Sequence, residues 1–245
     1  MKRFHYWEID TVRGLAIVTM VIYHIFLDLW FFGLRTRPPY LQVLEVNVAV
    51  IFIIISGISL QVSYMNSEKI ENFFKGTSLR SGVVLICAIF ITLVTFVLIP
   101  ERYVRFGILH LIGLSMFLGM FFARFKYYNL IFAFLIIIVG NYTYTHFYDS
   151  NIFAWLGFRV REFDSIDYFP LLPWFGYFLL GLFLGSIFYL KRRRRFNIID
   201  LSDNFIIKMI NVAGRNSLFI YLIHQPVIVF VFWLMGLLSF SDVIS

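Results

Sequence analysis

The sequence has one cysteine, few prolines and little charge: Cys87 stands alone, six of 245 residues are Pro, and 14% are Asp, Glu, Lys or Arg. A single thiol excludes an internal disulfide, and because Cys87 lies inside an apolar run nothing about redox compartment follows. So few charges exclude a solvated globular domain of this length. No His, Cys, Asp and Glu group has metal-ligand spacing, so no metal site is expected. There is no G-x-S-x-G elbow, no Walker-type loop and no dinucleotide fingerprint, which removes the usual hydrolase, nucleotidase and dehydrogenase readings. A retinal pigment needs a lysine deep in its last span; here the last apolar run has none, and Lys208 precedes it.

What is present is apolar. Sixty per cent of residues are hydrophobic and 31 are Phe. Runs of about 18 or more apolar residues match a hydrocarbon core roughly 30 Å thick. Seven spans are predicted, over 12–32, 43–65, 81–99, 106–123, 129–148, 171–190 and 217–238. The chain therefore reads as an all-α polytopic membrane protein of about seven helices, one transmembrane domain over 1–245, with no convincing internal repeat. Lys2 and Arg3 before an apolar stretch imitate a signal peptide. That stretch is too long, carries Arg13, His24 and Asp28, and lacks a small-x-small cleavage site, so it is expected to stay attached.

The basic residues orient it. With the amino terminus cytoplasmic, only Arg35, Arg37, Arg102, Arg105, Arg159 and Arg161 fall outside, and the other fifteen of the 21 Lys and Arg lie within, five of them in the run 191–195. The carboxyl terminus is then outside, and the expected place is the cell membrane, as a multi-pass protein. The net charge of +7 is accounted for by orientation and attraction to anionic lipid, and calls for no nucleic acid.

Against that apolar background a few polar residues stand out. Arg13 and His24 are eleven positions apart on the first span, which at about 100° and 1.5 Å per residue puts them on one face roughly 16 Å apart. Asp28 follows one turn later. Ionisable groups at such depth are costly unless they face protein or water, and so mark function. His224 reaches similar depth on the last span, where Ser217, Tyr221 and His224 share a face, and His110 sits near the outer end of the fourth. For His110 and His224 the residues leave catalytic and packing roles open. Asp10, one turn before Arg13, is a candidate partner for it. Ser56, Gly57, Ser59 and Ser63, like Gly176, Gly181 and Gly185, predict close helix approach. The segment 163–170 mixes acids with aromatics, the chemistry either of an acceptor site or of an interfacial belt.

These residues sit in ordered motifs: Asp10-x-x-Arg13-Gly14-Leu15-Ala16-Ile17 with His24 and Asp28; Ile54-Ile55-Ser56-Gly57-Ile58-Ser59; Phe106-Gly107-Ile108-Leu109-His110; Tyr168-Phe169-Pro170-Leu171-Leu172-Pro173-Trp174; and Gly214-Arg215-Asn216-Ser217 running on to Tyr221, His224, Gln225 and Pro226. Together, nearly end to end, they resemble the prokaryotic branch of the heparan-α-glucosaminide N-acetyltransferase catalytic-domain family. The spacing of Arg13 and His24 is also that of the related acyltransferase family three, which implies an acyl-CoA donor and a catalytic histidine.

The resemblance implies transfer of an acetyl or other short acyl group from cytoplasmic acyl-CoA, acetyl-CoA above all, to a hydroxyl or amine of an extracytoplasmic glycan, lipid or amine. Family members usually have more spans, so a second copy of this chain is an implied partner. A thin polyanionic donor needs cations at its mouth; Arg13 is placed for this, with Arg80, Arg215 and the basic run 191–195 as weaker candidates. His24 is then the general base, supported by Asp28. Tyr221, Ser217, Asn216 and His224 are candidates for lining the donor site and for the oxyanion donor. The rival class is a proton-coupled or small-anion carrier, which buried His and Asp would also suit.

Overall fold

A computed structural model describes residues 6–36 and 39–237, the side chain of Gln42 apart. It is mostly helical: α1 Trp7–Phe31, α2 Leu41–Asn66, α3 Ile70–Leu98, α4 Ile108–Phe122, α5 Asn129–Thr145, α6 Leu171–Phe188, then a small hairpin of β1 Tyr189–Leu190 and β2 Arg193–Arg194, α7 Phe205–Arg215 and α8 Ser217–Leu234. In hydrocarbon every backbone N–H and C=O must be satisfied within the chain, which is why long apolar runs become helices. Among the described residues six helical segments are long and apolar enough to cross a membrane. This is an integral membrane protein. The fourth of these segments, Ile108–Thr145, joins what the sequence divides into two spans, and it is broken at Lys126, where φ is 46° and ψ is −104°. Two boundaries move by five residues or more: α1 starts at Trp7, which brings Asp10 inside the helix, and α3 at Ile70.

The chain forms two compact units, one from the residues up to Phe52 and from Ile199 on, the other Ile53–Ile198. In the first, α1 and α8 run parallel: Asp10 meets Arg215 near their starts, His24 meets His224 midway, and Leu29 and Phe32 pack on Ile228 and Phe232 further along. Ile17, Met20 and Val48 make the core beside them. α7, capped by the Asn204 side chain, which accepts from the Ile206 and Ile207 N–H groups, lies against α1. A Cβ on Gly14 would strike the Ile210 carbonyl and one on Gly214 the Asp10 carbonyl, so glycine at both places lets the backbones touch.

In the second unit α6 is central, with Phe178, Leu179 and Leu182 fully buried. The predicted small-residue approach is present: Gly57 lies on the Phe178 carbonyl and Gly181 on that of Ile54. Main-chain bonds from Ile166 to the Arg102 carbonyl (2.9 Å) and from Phe169 to that of Phe106 (2.9 Å) tie the segments before α4 and α6 together. α5 runs antiparallel to α6, with Gly140 on Pro173 and Gly176 on Ala133 and Ile137.

Candidate functional site

Two imidazoles meet in the first unit. The rings of His24 on α1 and His224 on α8 lie edge to face, 4.6 Å between centroids. Each holds its Nδ1 against a carbonyl of its own helix: His24 against Met20 at 2.9 Å, His224 against Tyr221 at 2.6 Å. A carbonyl only accepts, so Nδ1 carries the proton in both rings and Nε2 is left with its lone pair. His224 Nε2 is buried without a hydrogen-bond partner among the described residues. Tyr23 flanks His24 and Tyr221 flanks His224, at 5.0 and 5.4 Å between ring centroids.

Asp28, only 4% exposed, makes no hydrogen bond to His24; both its oxygens accept from Gln225 Nε2, at 2.8 and 2.9 Å. The sequence reading has Asp28 support His24; the proton on His24 Nδ1 is held by the Met20 carbonyl, since an i−4 carbonyl lies directly under the ring in a helix. Gln225 is a residue that sequence reasoning missed; its signal was an amide beside His224 in an otherwise apolar run. Its Oε1 is buried and unpartnered among the described residues.

Near the starts of α1 and α8, Asp10 is buried between two guanidiniums. Arg215 Nε donates to its Oδ2 at 3.0 Å, and Arg13 Nη1 stands 3.6 Å from Oδ1. Arg215 is half exposed. Thr11 donates to Asn211 Oδ1 at 2.7 Å, fastening α1 to α7 below this cluster. Asn216, between α7 and α8, donates to the Val212 carbonyl at 2.8 Å, and Ser217 opens α8 half-buried.

The family model for heparan-alpha-glucosaminide N-acetyltransferase, catalytic, matches residues 5–226. The chain belongs to that family. No curated protein and no solved structure matches it. The match takes in both histidines, the Asp28–Gln225 pair and the Asp10–Arg13–Arg215 cluster, and the family points to a membrane acetyltransferase.

The other predicted site residues of this acetyltransferase-family chain lie in the second unit. His110 has both ring nitrogens engaged: Nδ1 accepts from the Gly107 N–H at 3.3 Å, and Nε2 faces Thr92 Oγ1 at 3.4 Å. Since the Thr92 hydroxyl itself donates to the Val104 carbonyl, it accepts from His110, which thereby caps α4. Arg80 Nε donates to the Gly76 carbonyl at 3.0 Å, and its Nη2 reaches Ser63 and Thr77. In the segment 163–170, Ser165 bonds the Tyr103 and Asp167 carbonyls, and Asp167 accepts from the Ile108 N–H at 3.1 Å. The Tyr168 hydroxyl donates to the Ala154 carbonyl at 2.8 Å; burial pushes its pKa up to about 12, against the opposing pull of Arg159. These contacts are those of a tightly folded connection. Among the described residues no three of His, Cys, Asp and Glu are grouped to hold a metal ion.

Proposed function

We propose that this protein moves an acetyl or other short acyl group from cytoplasmic acyl-CoA to a hydroxyl or amine of an extracytoplasmic acceptor, a glycan or another envelope component. The observation that carries the reading is the His24–His224 couple, with each Nδ1 tied to a carbonyl and each Nε2 left basic. His24 Nε2 takes the proton of the acceptor O–H or N–H as that oxygen or nitrogen attacks the thioester carbonyl. The C–O or C–N bond forms, the C–S bond breaks, and the leaving thiolate recovers the proton from the imidazolium. Such general-base help is worth about 10²–10⁴ in rate. His224 Nε2 orients the acceptor or relays its proton, and the Asp28 carboxylate, one turn from His24, favours the transient imidazolium. Arg13 and Arg215 meet donor phosphate by charge-assisted bonds.

Direction of transfer depends on topology, and seven crossings are the better supported reading. Main-chain bonds hold the segments before α4 and α6 side by side, which calls for an even number of crossings between them, α4 and α5. The parallel packing of α1 and α8 calls for an odd total. Seven satisfies both and six satisfies neither. With the Lys and Arg bias, the amino terminus is cytoplasmic.

The test is purified protein in detergent. Acetyl-CoA or CoA should raise its unfolding temperature, whereas a carrier would ignore both. His24→Ala should abolish acyl transfer to a panel of sugars and amines yet retain the CoA-dependent stabilisation. Full activity in that variant would remove His24 from the chemistry.

A further inference from the structure

The end of α2, the start of α3, the turn between α4 and α5, and the β1–β2 hairpin line an open surface cavity of about 410 Å³. All of it lies within the unit Ile53–Ile198. Three side chains offer it hydrogen-bond donors: the ammonium groups of Lys126 and Lys191 and the hydroxyl of Tyr64. None of the three has a hydrogen-bond or ion-pair partner among the described residues, and no carboxylate lines the cavity. Ser67, the fourth polar lining residue, spends its hydroxyl hydrogen on the Lys69 carbonyl, so two unpaired ammonium groups dominate the lining, which suits an anion with several oxygens.

The backbone is arranged to put the lysines there. Lys126 stands at φ 46°, a conformation that L-residues rarely adopt, at the break between α4 and α5. Lys191 opens the hairpin turn, and its neighbour Arg192, at φ 61°, pins that turn to the end of α2. The Arg192 N–H donates to Asn66 Oδ1 at 2.7 Å, and its guanidinium meets Glu68 at 3.0 Å. With Arg192 engaged there, Lys191 is left to the cavity.

The remaining lining decides what kind of anion fits. Met65, Ile70 and Leu190 are apolar, and Ile70 is 52% exposed. They stand where two candidate spans end or begin, after Asn66 and at Ile70, and just beyond the end of a third at Phe188. The cavity thus lies at the ends of candidate spans and is lined by two ammonium groups and three apolar side chains. A water-soluble phosphate has no use for the apolar side chains; a phospholipid uses both kinds.

We propose that this cavity is a headgroup site for an anionic phospholipid of the leaflet that the α2–α3 turn faces, its phosphate between Lys126 and Lys191 and its first acyl carbons on Met65, Ile70 and Leu190. The site is independent of the acyltransferase reading. The test compares unfolding temperatures in mixed micelles containing dioleoyl-phosphatidylglycerol or dioleoyl-phosphatidylcholine, with native mass spectrometry counting retained lipid. Phosphatidylglycerol should give a saturable rise and phosphatidylcholine little or none. The double variant Lys126→Ala/Lys191→Ala should lose at least half of that rise and the retained lipid, while its unfolding temperature in phosphatidylcholine stays that of the wild type, since both side chains are exposed. Lys126→Arg/Lys191→Arg should keep the rise, and Arg193→Ala, on the same hairpin but outside the cavity lining, should leave it intact. An equal rise with phosphatidylcholine, an equal loss from Arg193→Ala, or removal of the rise by CoA would each overturn the proposal, the last by making the cavity a nucleotide phosphate site.

Discussion

Gln225 holds Asp28 by both carboxylate oxygens, at 2.8 and 2.9 Å, from a helix almost two hundred residues away in sequence. The bond sits beside the His24–His224 contact, since Asp28 follows His24 on α1 and Gln225 follows His224 on α8. One pair of neighbours therefore fixes the register of the other. A one-residue slip of α8 would both separate the imidazoles and strand a buried carboxylate.

Gln225→Leu should thus destabilise the protein by about 1–3 kcal/mol, the cost of leaving a buried acceptor unsatisfied. Asp28→Leu in the same background should recover part of that loss, because the stranded group is gone. Thermal unfolding of the two singles and the double gives the coupling. Additive losses would mean the bond carries no energy.

Gly214→Ala should force α7 off α1, since its Cβ meets the Asp10 carbonyl. Overpacking of this kind costs about 1–3 kcal/mol, and it displaces Arg215 as well. The expected outcome is a lower unfolding temperature together with weaker CoA stabilisation. Gly82→Ala, where a Cβ would meet nothing, should be silent in both measurements and serves as the control.

Arg13 and Arg215 should differ in their effect on stability. Asp10 is held more closely by Arg215, at 3.0 Å, than by Arg13, at 3.6 Å. Arg215→Ala removes the closer contact and should lower both stability and CoA affinity; Arg13→Ala should lower CoA affinity several-fold with a smaller effect on unfolding. An Arg13→Ala protein with unchanged CoA affinity would remove Arg13 from the donor site.

Turnover should fall as pH is lowered through a single ionisation, because a protonated imidazole cannot accept the acceptor's proton. His224→Gln, which keeps a polar group in place, should retain that pH profile at a reduced rate, whereas His24→Gln should leave no turnover to titrate. A profile unchanged in His24→Gln would move the base elsewhere.

Crossing number can be read in a Cys87→Ser background. Cysteines at Thr36 and Glu162 should label with an impermeant thiol reagent from outside, and one at Asn197 only after permeabilisation. Outside labelling at Asn197 with protection at Glu162 would make Ile108–Thr145 a single crossing.

The apolar runs by themselves determined that this is a helical membrane protein, since hydrocarbon leaves a backbone no other way to satisfy its polar groups except a closed barrel. Spacing along one helix was equally legible: Arg13, His24 and Asp28 share a face by arithmetic alone. The ordered motifs carried the family. What spacing could not state is which helix supplies each residue's partner. Asp28 lies one turn from His24 in sequence, yet its hydrogen bond goes to Gln225, and the His24 ring turns to the Met20 carbonyl. Sequence leaves catalytic and packing roles open for His110, and only the structure shows its Nδ1 accepting from the Gly107 N–H at the start of α4. Sequence sets Arg215 behind Arg13 as a cation for the donor; that it is also the partner of Asp10 follows from the contact of Gly14 with Gly214. Periodicity is a property of one helix; partnership needs two, and only packing decides which faces meet.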